Sequence, residues 1–264
     1  MSRIASVFAR LKSRGEKGLV AYLTAGFPTV RMMPDLVRAC EAGGADVLEI
    51  GIPFSDPLAD GPTIQAASQR ALRQGVSTAG VLETVARLRR SGVGLPLALM
   101  SYYNPIWKHG VDRFCREAVL AGADGLIVPD LPPEEGSELI PAARRRGIDT
   151  IFLAAPTSPK ERLARIARAS TGFLYYVSRT GVTGASRSLP AEVGSQVQSI
   201  CRITDLPVCV GFGISRPDQV AEVTRFADGA VIGSALLDIV GRGDGRAAAR
   251  TERFLKRLKH ACGG

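Results

Sequence analysis

Long apolar runs are absent from this sequence of 264 residues. No uninterrupted run approaches the roughly 20 apolar residues that a membrane-spanning helix needs, and the first residues lack the apolar core of a signal peptide. Cysteine is also scarce: the five cysteines are an odd number without a C-x-x-C pair, which argues against a disulfide framework or a zinc site. We therefore expect a soluble cytoplasmic protein with reduced thiols, most of them buried, at Cys40, Cys115, Cys201, Cys209 and Cys262.

Aromatic side chains interleaved with basic ones are missing as well, although the formal net charge is +9. The excess arginine lies in helical stretches such as "ARLRRSG" and "AARRRGID", a pattern typical of a solvated helix face. We predict no nucleic-acid partner, while a general attraction of anionic substrates stays open. The 45% hydrophobic content suffices for a large core, and the absence of a linker predicts one domain over residues 1–264.

Short β-branched runs alternate with helical patterns along the whole chain. Eight such runs are "GLVAYLTA", "DVLEIGI", "LPLALMSY", "DGLIVPD", "DTIFLAAP", "GFLYYVS", "PVCVGFG" and "DGAVIGS". The turn after the first run, "TAGFPTV", lacks the G-x-G-x-x-G fingerprint of an open dinucleotide-binding sheet. Eight βα units predict an α/β fold, a single (β/α)8 TIM barrel. We expect an additional N-terminal helix from about Ser2 to Lys12 at its lower end, and a short helix after strand eight.

A carboxylate interrupts the second apolar run, in "VLEIGIPFSDPLADGPTIQ" from Val47 to Gln65. Because side chains alternate along a strand, Glu49 and Gly51 are expected to face the barrel lumen, with Gly51 leaving empty space for a substrate. Burial favours a protonatable Glu49, whereas Asp60, on a loop nearer water, is expected to stay ionised. The alternative is that Glu49 is a buried ion-pair partner and the aspartates form turns.

Glycines follow strands six, seven and eight, where barrels of this kind often hold a phosphate. We predict an anion site near Gly213, Gly233 and Ser234, although glycine also serves ordinary turns. The loop "SRTGVTGASRS", Ser178 to Ser188, is interpreted as a lid or, alternatively, a plain surface loop. Four aromatic residues at strand ends can sandwich a flat ring or simply pack: Tyr22, Tyr102, Tyr175 and Phe212.

The segment "LEIGIPFSDPLADGPTIQ" closely resembles the signature of the tryptophan synthase alpha subunit family. The motifs "YLTAGFP", "MSYYNPI", "IVPDLPPEE", "FLAAPTSP", "YYVSRTGVTGA", "VGFGIS" and "DGAVIGSAL" resemble that family in the same order over nearly the whole chain. The resemblance implies retro-aldol cleavage of indole-3-glycerol phosphate without a metal or cofactor in this subunit. It also implies that Glu49 is the acid-base group and that Asp60 binds the indole N–H.

The same resemblance implies the remaining site residues. Thr183 would close the site over Asp60. The residues that would line the ring pocket are Tyr22, Tyr102, Tyr175 and Phe212. Those that would contact the phosphate are Gly184, Gly213, Gly233 and Ser234. Tyr22 and Met100 depart from the Phe and Leu that the family often has, and Pro129 stands where smaller residues are common, so the shape of the ring pocket is expected to differ.

The resemblance further implies a partner, the beta subunit of tryptophan synthase, which carries pyridoxal phosphate and receives indole in an alpha2beta2 assembly. Pro53, Asp56, Pro57 and Asn104 match positions at that contact, so docking and catalysis are expected to be allosterically coupled. Other interpretations remain open: an activator of the beta subunit with weak chemistry of its own, a stand-alone lyase, or another phosphate-binding barrel enzyme of the pathway.

Overall fold

Nine parallel strands form the centre of the computed structural model, which describes residues 1–177, 192–211 and 213–263. The strands are β1 Gly18–Thr24, β2 Val47–Gly51, β3 Leu97–Met100, β4 Gly125–Ile127, β5 Asp149–Ile151, β6 Leu153–Ala154, β7 Leu174–Val177, β8 Val208–Gly211 and β9 Gly229–Ile232. Their order is β5-β4-β3-β2-β1-β9-β8-β7-β6. Only Phe152 separates β5 from β6, so the chain itself closes the ring, and the predicted (β/α)8 barrel is confirmed, with its fifth strand in two pieces.

Twelve helices lie within the described ranges, and most of them pack around the outside of this ring. They are α1 Arg3–Ser13, α2 Met33–Ala42, α3 Pro62–Arg73, α4 Thr78–Arg90, α5 Tyr103–His109, α6 Val111–Ala121, α7 Leu139–Arg146, α8 Lys160–Ala169, α9 Glu192–Cys201, α10 Pro217–Thr224, α11 Ser234–Val240 and α12 Ala247–His260. Short 3-10 turns lie at Val30–Met32, Pro133–Glu135 and Ala261–Gly263. In the described part of the chain, every helix is too short or too polar to cross a bilayer.

Side-chain alternation divides the apolar residues into two cores. Along β1, Leu19, Ala21 and Leu23 pack outward against the helices, while Val20 faces the lumen. The lumen also receives the apolar face of α1, which supplies Ile4, Val7, Phe8 and Leu11. The N-terminal helix is thus present where the sequence predicts it. It begins at Arg3 because the Ser2 hydroxyl accepts a hydrogen bond from the Ala5 N–H at 3.1 Å.

Three aspartates that precede strands share one structural role. Asp46 precedes β2 and accepts a hydrogen bond at 2.8 Å from the N–H of Leu19, near the start of β1. Two further pairs repeat this contact: the Leu97 N–H donates to Asp124 at 2.8 Å, and the Val208 N–H donates to Asp228 at 3.0 Å. The sequence echo "GGADVLEI", "AGADGLIV" and "FADGAVI" therefore ties neighbouring strands together at the lower end of the barrel.

Four of the five cysteines are buried, in line with the expectation of buried thiols. Cys40, Cys115, Cys209 and Cys262 are buried and unpaired. Cys201 is the exception, because it is exposed at the C-terminal end of α9. Asp228 and Lys17 act electrostatically on its thiol, which places Cys201 near the lower rim of the barrel.

Candidate active site

Glu49 lies on the inner face of β2, as the alternation of side chains predicts. It pairs in register with Tyr22 of β1 and Ala98 of β3 and is 1% exposed. Among the described residues, none forms a hydrogen bond with its buried Oε1 atom. Burial raises the pKa of Glu49 to about 8, so the carboxyl is largely protonated at neutral pH. The alternative was that Glu49 is a buried ion-pair partner. It is not supported, because no cation lies near the carboxyl among the described residues.

The space above Glu49 differs from the sequence-based expectation. A Cβ atom built on Gly51 would lie 2.1 Å from the Tyr22 hydroxyl oxygen and 2.7 Å from its Cζ atom. The hollow that Gly51 leaves is therefore filled by Tyr22, and the prediction of empty substrate space at this point is wrong. The Tyr22 hydroxyl forms its own hydrogen bond with Thr24 Oγ1 at 3.2 Å.

Asp60 is less accessible than its loop position suggests. It is 8% exposed against 1% for Glu49, so it lies nearer water than Glu49, as expected, yet it is still largely buried. Burial raises its pKa to about 6, although a hydrogen bond with the Tyr102 hydroxyl acts in the opposite direction. Asp60 remains mostly ionised at neutral pH while Glu49 is mostly protonated, so the predicted division between the two carboxyls is retained.

The loop between β2 and α3 is held by contacts to residues outside it. The Ala59 N–H donates a hydrogen bond to the Tyr102 hydroxyl at 2.8 Å, and the Gln65 amide donates to the Asp60 carbonyl at 2.9 Å. The rings of Phe54 and Tyr102 lie 5.3 Å apart between centroids. Tyr102, predicted beside a ring-shaped ligand, thus fixes the position of Asp60.

A cavity of about 390 Å³ opens at the C-terminal end of the barrel. It brings together five of the predicted site residues: Asp60, Tyr175, Gly213, Gly233 and Ser234. Apolar side chains complete its wall, namely Ile64, Met100, Ile127, Pro129, Leu153, Val177 and Val231. Glu49, Tyr22 and Tyr102 do not border it. Met100, in register with Gly51, lines the wall, so Glu49 lies one layer deeper than the cavity.

The glycines predicted to bind phosphate lie on one side of this cavity. β9 ends at Ile232, Gly233 follows it, and α11 begins at the next residue, Ser234. Gly213 has a φ of +63°, a left-handed conformation that favours glycine. Gly211, at the end of β8, also lines the cavity, and a Cβ built on it would lie 2.5 Å from the Tyr175 hydroxyl oxygen. Phe212, Thr183, Gly184 and the predicted lid Ser178 to Ser188 fall outside the described residues.

Residues predicted to meet a partner protein surround the mouth. Asp56 and Asn104 are exposed, Pro57 is half-buried, and Pro53 is buried. Two large apolar side chains on the same segments are exposed without having been predicted: Leu58 at 92% and Trp107 at 61%. Exposed apolar groups near charged and amide side chains are typical of a protein interface.

One side of the cavity was not predicted from the sequence. Ala155, Thr157, Ser158 and Arg162, from the segment between β6 and α8, line its wall. Arg162 is the only cation among the described lining residues, and within the described part of the chain no hydrogen bond or ion pair engages it. The predicted fold could have located this segment, because the segments that follow strands build the mouth of such a barrel.

Comparison with known proteins identifies the family. The profile of the family "Tryptophan synthase alpha chain" matches residues 8–263. The chain belongs to this family. It is 52% identical to the tryptophan synthase alpha chain of Chloroflexus aggregans over 242 residues, 92% of this chain and 91% of that one.

Solved structures of the family agree with the fold. The alpha subunit from Legionella pneumophila aligns with a TM-score of 0.91 and 37% identity, covering 99% of this chain and 98% of the other. A chain of tryptophan synthase from M. tuberculosis, in an aminoacrylate-bound form, aligns with a TM-score of 0.89 and 34% identity, covering 99% and 100%. The protein is a carbon–carbon lyase of tryptophan biosynthesis that cleaves indole-3-glycerol phosphate to indole and glyceraldehyde 3-phosphate.

Proposed function

We propose that Glu49 and Asp60 carry out this cleavage in the cavity at the barrel mouth. The bond to be broken joins indole C3 to the adjacent hydroxyl-bearing carbon of the glycerol chain. Indole C3 must gain a proton, and the hydroxyl must lose one as its carbon becomes the aldehyde. A single carboxyl with a pKa of about 8, that of Glu49, can donate the first proton and accept the second, which returns it to its starting state.

Asp60 takes the complementary role. Protonation of C3 places positive charge on the indole nitrogen, and an ionised carboxylate that accepts the N–H hydrogen bond stabilises that charge. Asp60 borders the cavity and is mostly ionised at neutral pH, which fits this task. The hydrogen bond with Tyr102 and the anchored loop fix the carboxylate before the substrate arrives.

The ends of the substrate have separate surroundings. Apolar side chains, among them Met100, Ile127 and Leu153, suit an indole ring, together with Tyr175. The glycine-lined side near Gly213, Gly233 and Ser234 suits the phosphate, since backbone N–H groups can approach it closely. The roles of Thr183 in closure, Gly184 at the phosphate and Phe212 at the ring are supported by the family resemblance alone.

Glu49 needs one movement to act. Its carboxyl lies one layer below the cavity wall, so we propose that side-chain rotation raises it to the substrate. The absence of a described hydrogen-bond partner for Oε1 supports this, because nothing polar has to be broken when the carboxyl rotates.

The test is a comparison of three variants in single-turnover cleavage of indole-3-glycerol phosphate. Glu49→Gln keeps the shape of the side chain but cannot exchange protons, so we expect cleavage to fall by a factor on the order of 1,000 or more. Asp60→Asn should lose on the order of 100-fold. Glu83→Gln, on the exposed face of α4, is the control and should retain normal turnover. A Glu49→Gln variant with near-normal rates would refute the assignment.

We further propose that residues 1–264 form one cytoplasmic domain that binds the beta subunit in an alpha2beta2 assembly, with pyridoxal phosphate held by the beta subunit only. Exposed Leu58 and Trp107, beside Asp56 and Asn104, support a contact at the mouth. Pro57 would belong to the same contact, whereas buried Pro53 would shape the loop from inside. This location lets one loop serve both the partner and Asp60.

The partner proposal is tested by gel filtration and turnover with and without a beta subunit. Trp107→Ala should weaken co-elution, and Asp56→Ala should reduce activation by the partner more than the activity of the isolated chain. Leu120→Ala is the control, because Leu120 is 78% exposed at the lower end of α6, far from the mouth. Equal losses with and without the partner for Asp56→Ala would argue against a contact role.

A further inference from the structure

Tyr22 lies on the inner face of β1 between Gly51, the last residue of β2, and Gly233, which follows β9. On one side, a Cβ built on Gly233 would lie 3.9 Å from the Tyr22 Cβ. On the other side, a Cβ built on Gly51 would lie 2.1, 2.7 and 2.9 Å from the Tyr22 Oη, Cζ and Cε2 atoms. The ring therefore occupies the volume that any other residue at position 51 would need. Tyr22 is 4% exposed, so this fit lies inside the barrel.

The Glu49 side chain lies next to this contact on the same inner face of the barrel. Tyr22 and Glu49 are partners in register, and Gly51 lies two residues further along the same face of β2. The Tyr22 hydroxyl bonds with Thr24, and the Oε1 atom of Glu49 has no bond within the described residues. An acid held without polar partners depends on its apolar neighbours for its position and for its separation from water.

We propose that Tyr22 is a positioning residue for Glu49: its ring, seated in the hollow of Gly51, excludes water from the resting carboxyl and confines it to the position from which the side chain rotates to the substrate. This proposal rests on the acid-base role of Glu49 given above. In the sequence, Tyr22 is one of four aromatic residues at strand ends, and nothing in the pattern sets it apart from the others. Its contact with Gly51 places the ring beside Glu49, so Tyr22 can act on the catalytic carboxyl although it does not border the cavity.

The ionisable neighbours of Glu49 make the effect measurable. Tyr22, Tyr175 and Cys209 are the described groups that act electrostatically with Glu49, and burial raises the pKa of each. All three are therefore neutral over the useful pH range. On β3, Ala98 and Met100 carry no ionisable group, and Asp60 acts on the two tyrosines. We therefore expect Glu49 to titrate near pH 8 and Asp60 near pH 6.

The experiment follows the Glu49 carboxyl by carbon-13 NMR in protein labelled at glutamate, with the signal assigned by its loss in Glu49→Gln. Tyr22→Leu opens room for water beside the carboxyl, so the titration midpoint should fall by about one pH unit or more. Tyr22→Phe keeps the ring and should keep the midpoint. The pH dependence of kcat for indole-3-glycerol phosphate cleavage should move in the same direction as the NMR midpoint.

A double-mutant cycle tests the contact itself. Gly51→Ala forces the Tyr22 ring out of its position and should lower kcat by about tenfold or more. In Gly51→Ala/Tyr22→Leu the new methyl group occupies space that the ring has left, so the loss should be smaller than the product of the two single losses. Gly51→Ala/Tyr22→Phe should not recover, because Cζ and Cε2 remain in conflict with the methyl group.

Gly125→Ala is the matched control. A Cβ built there would lie 2.9 Å from Ile4 Cδ1, a similar conflict inside the lumen but next to α1. It should lower thermal stability without moving the Glu49 titration. The proposal is overturned if Tyr22→Leu leaves that titration unmoved, or if the Tyr22 and Gly51 losses multiply. A Glu49→Gln variant with normal activity would instead overturn the proposed function. The NMR titration of Glu49 in Tyr22→Leu would still test the role of Tyr22.

Discussion

The Tyr102 hydroxyl accepts a hydrogen bond from the Ala59 N–H at 2.8 Å and so joins the end of β3 to the loop that carries Asp60. The same hydroxyl is hydrogen-bonded to the Asp60 carboxylate. One phenol therefore fixes both the backbone and the side chain of this loop. The same loop presents Asp56 and Leu58 to solvent.

Tyr102→Phe removes both of these bonds. The lost bond to the carboxylate had lowered the pKa of Asp60, so the pKa should rise above its value of about 6. The acid limb of the pH–rate profile should move to higher pH, and kcat should fall by about tenfold, as expected for losing a hydrogen bond to a charged group. Tyr103→Phe is the control, because its hydroxyl bonds with Glu138 at 3.4 Å on the outer side of the barrel.

Glu49→Gln should stabilise the protein at alkaline pH. The folded pKa of about 8 lies above the ordinary 4.5, so between these values the folded state holds one more proton than the unfolded state. The contribution of Glu49 to stability is therefore complete below about pH 4.5 and is lost as the pH rises to 8. Urea unfolding at pH 9 should favour the variant by on the order of 3–5 kcal/mol. A difference that is the same at pH 5 would contradict this linkage.

Asp124 should matter for stability but not for turnover. Its carboxylate pairs with Arg89 at 2.5 Å and Arg3 at 2.8 Å, at the end of the barrel opposite the cavity. Asp124→Ala leaves the mostly buried Arg89 without its charge partner, which should cost about 3 kcal/mol in the free energy of unfolding. Values of kcat and KM measured well below the melting temperature should stay close to normal. A large loss of kcat would show that the lower end is coupled to the active site.

Arg162→Glu should weaken capture of the anionic substrate. Arg162 is exposed at the rim and is the one described cation in the cavity wall, so its charge attracts the phosphate-bearing substrate. At low ionic strength, kcat/KM should fall about three- to tenfold, more than kcat does, and added salt should reduce the difference. Arg168→Glu, at the lower end of the same helix, is the control. A loss that does not change with salt would indicate a direct contact in place of attraction.

The sequence predicts the inward orientation of Glu49 well, because a charge within an apolar strand has only one tolerable side. It also predicts Gly213, Gly233 and Ser234 at the cavity, because the segments that follow β8 and β9 build the mouth of such a barrel. The hollow at Gly51 could not be predicted in the same way. Whether a glycine leaves space depends on the side chain opposite it on the next strand, and Tyr22 fills that space only through the register of β1 and β2.

The burial of Asp60 was equally beyond local sequence reasoning. A loop rich in proline and aspartate is expected to be solvated, but Tyr102, more than 40 residues further along the chain, holds this one against the barrel. The rim segment with Arg162 was missed because no single residue in it has a distinctive pattern. Only the closure of the ring through Phe152 brings the segment after β6 next to the cavity.

The exposure of Cys201 at the lower rim has a practical use. The other four thiols are buried, so a maleimide reagent applied to the native protein should react at this one position. A dye or a surface attached there lies across the barrel from the mouth, which leaves the cavity and the proposed partner contact free. Single-molecule and biosensor measurements of both events are therefore within reach without adding or removing any cysteine.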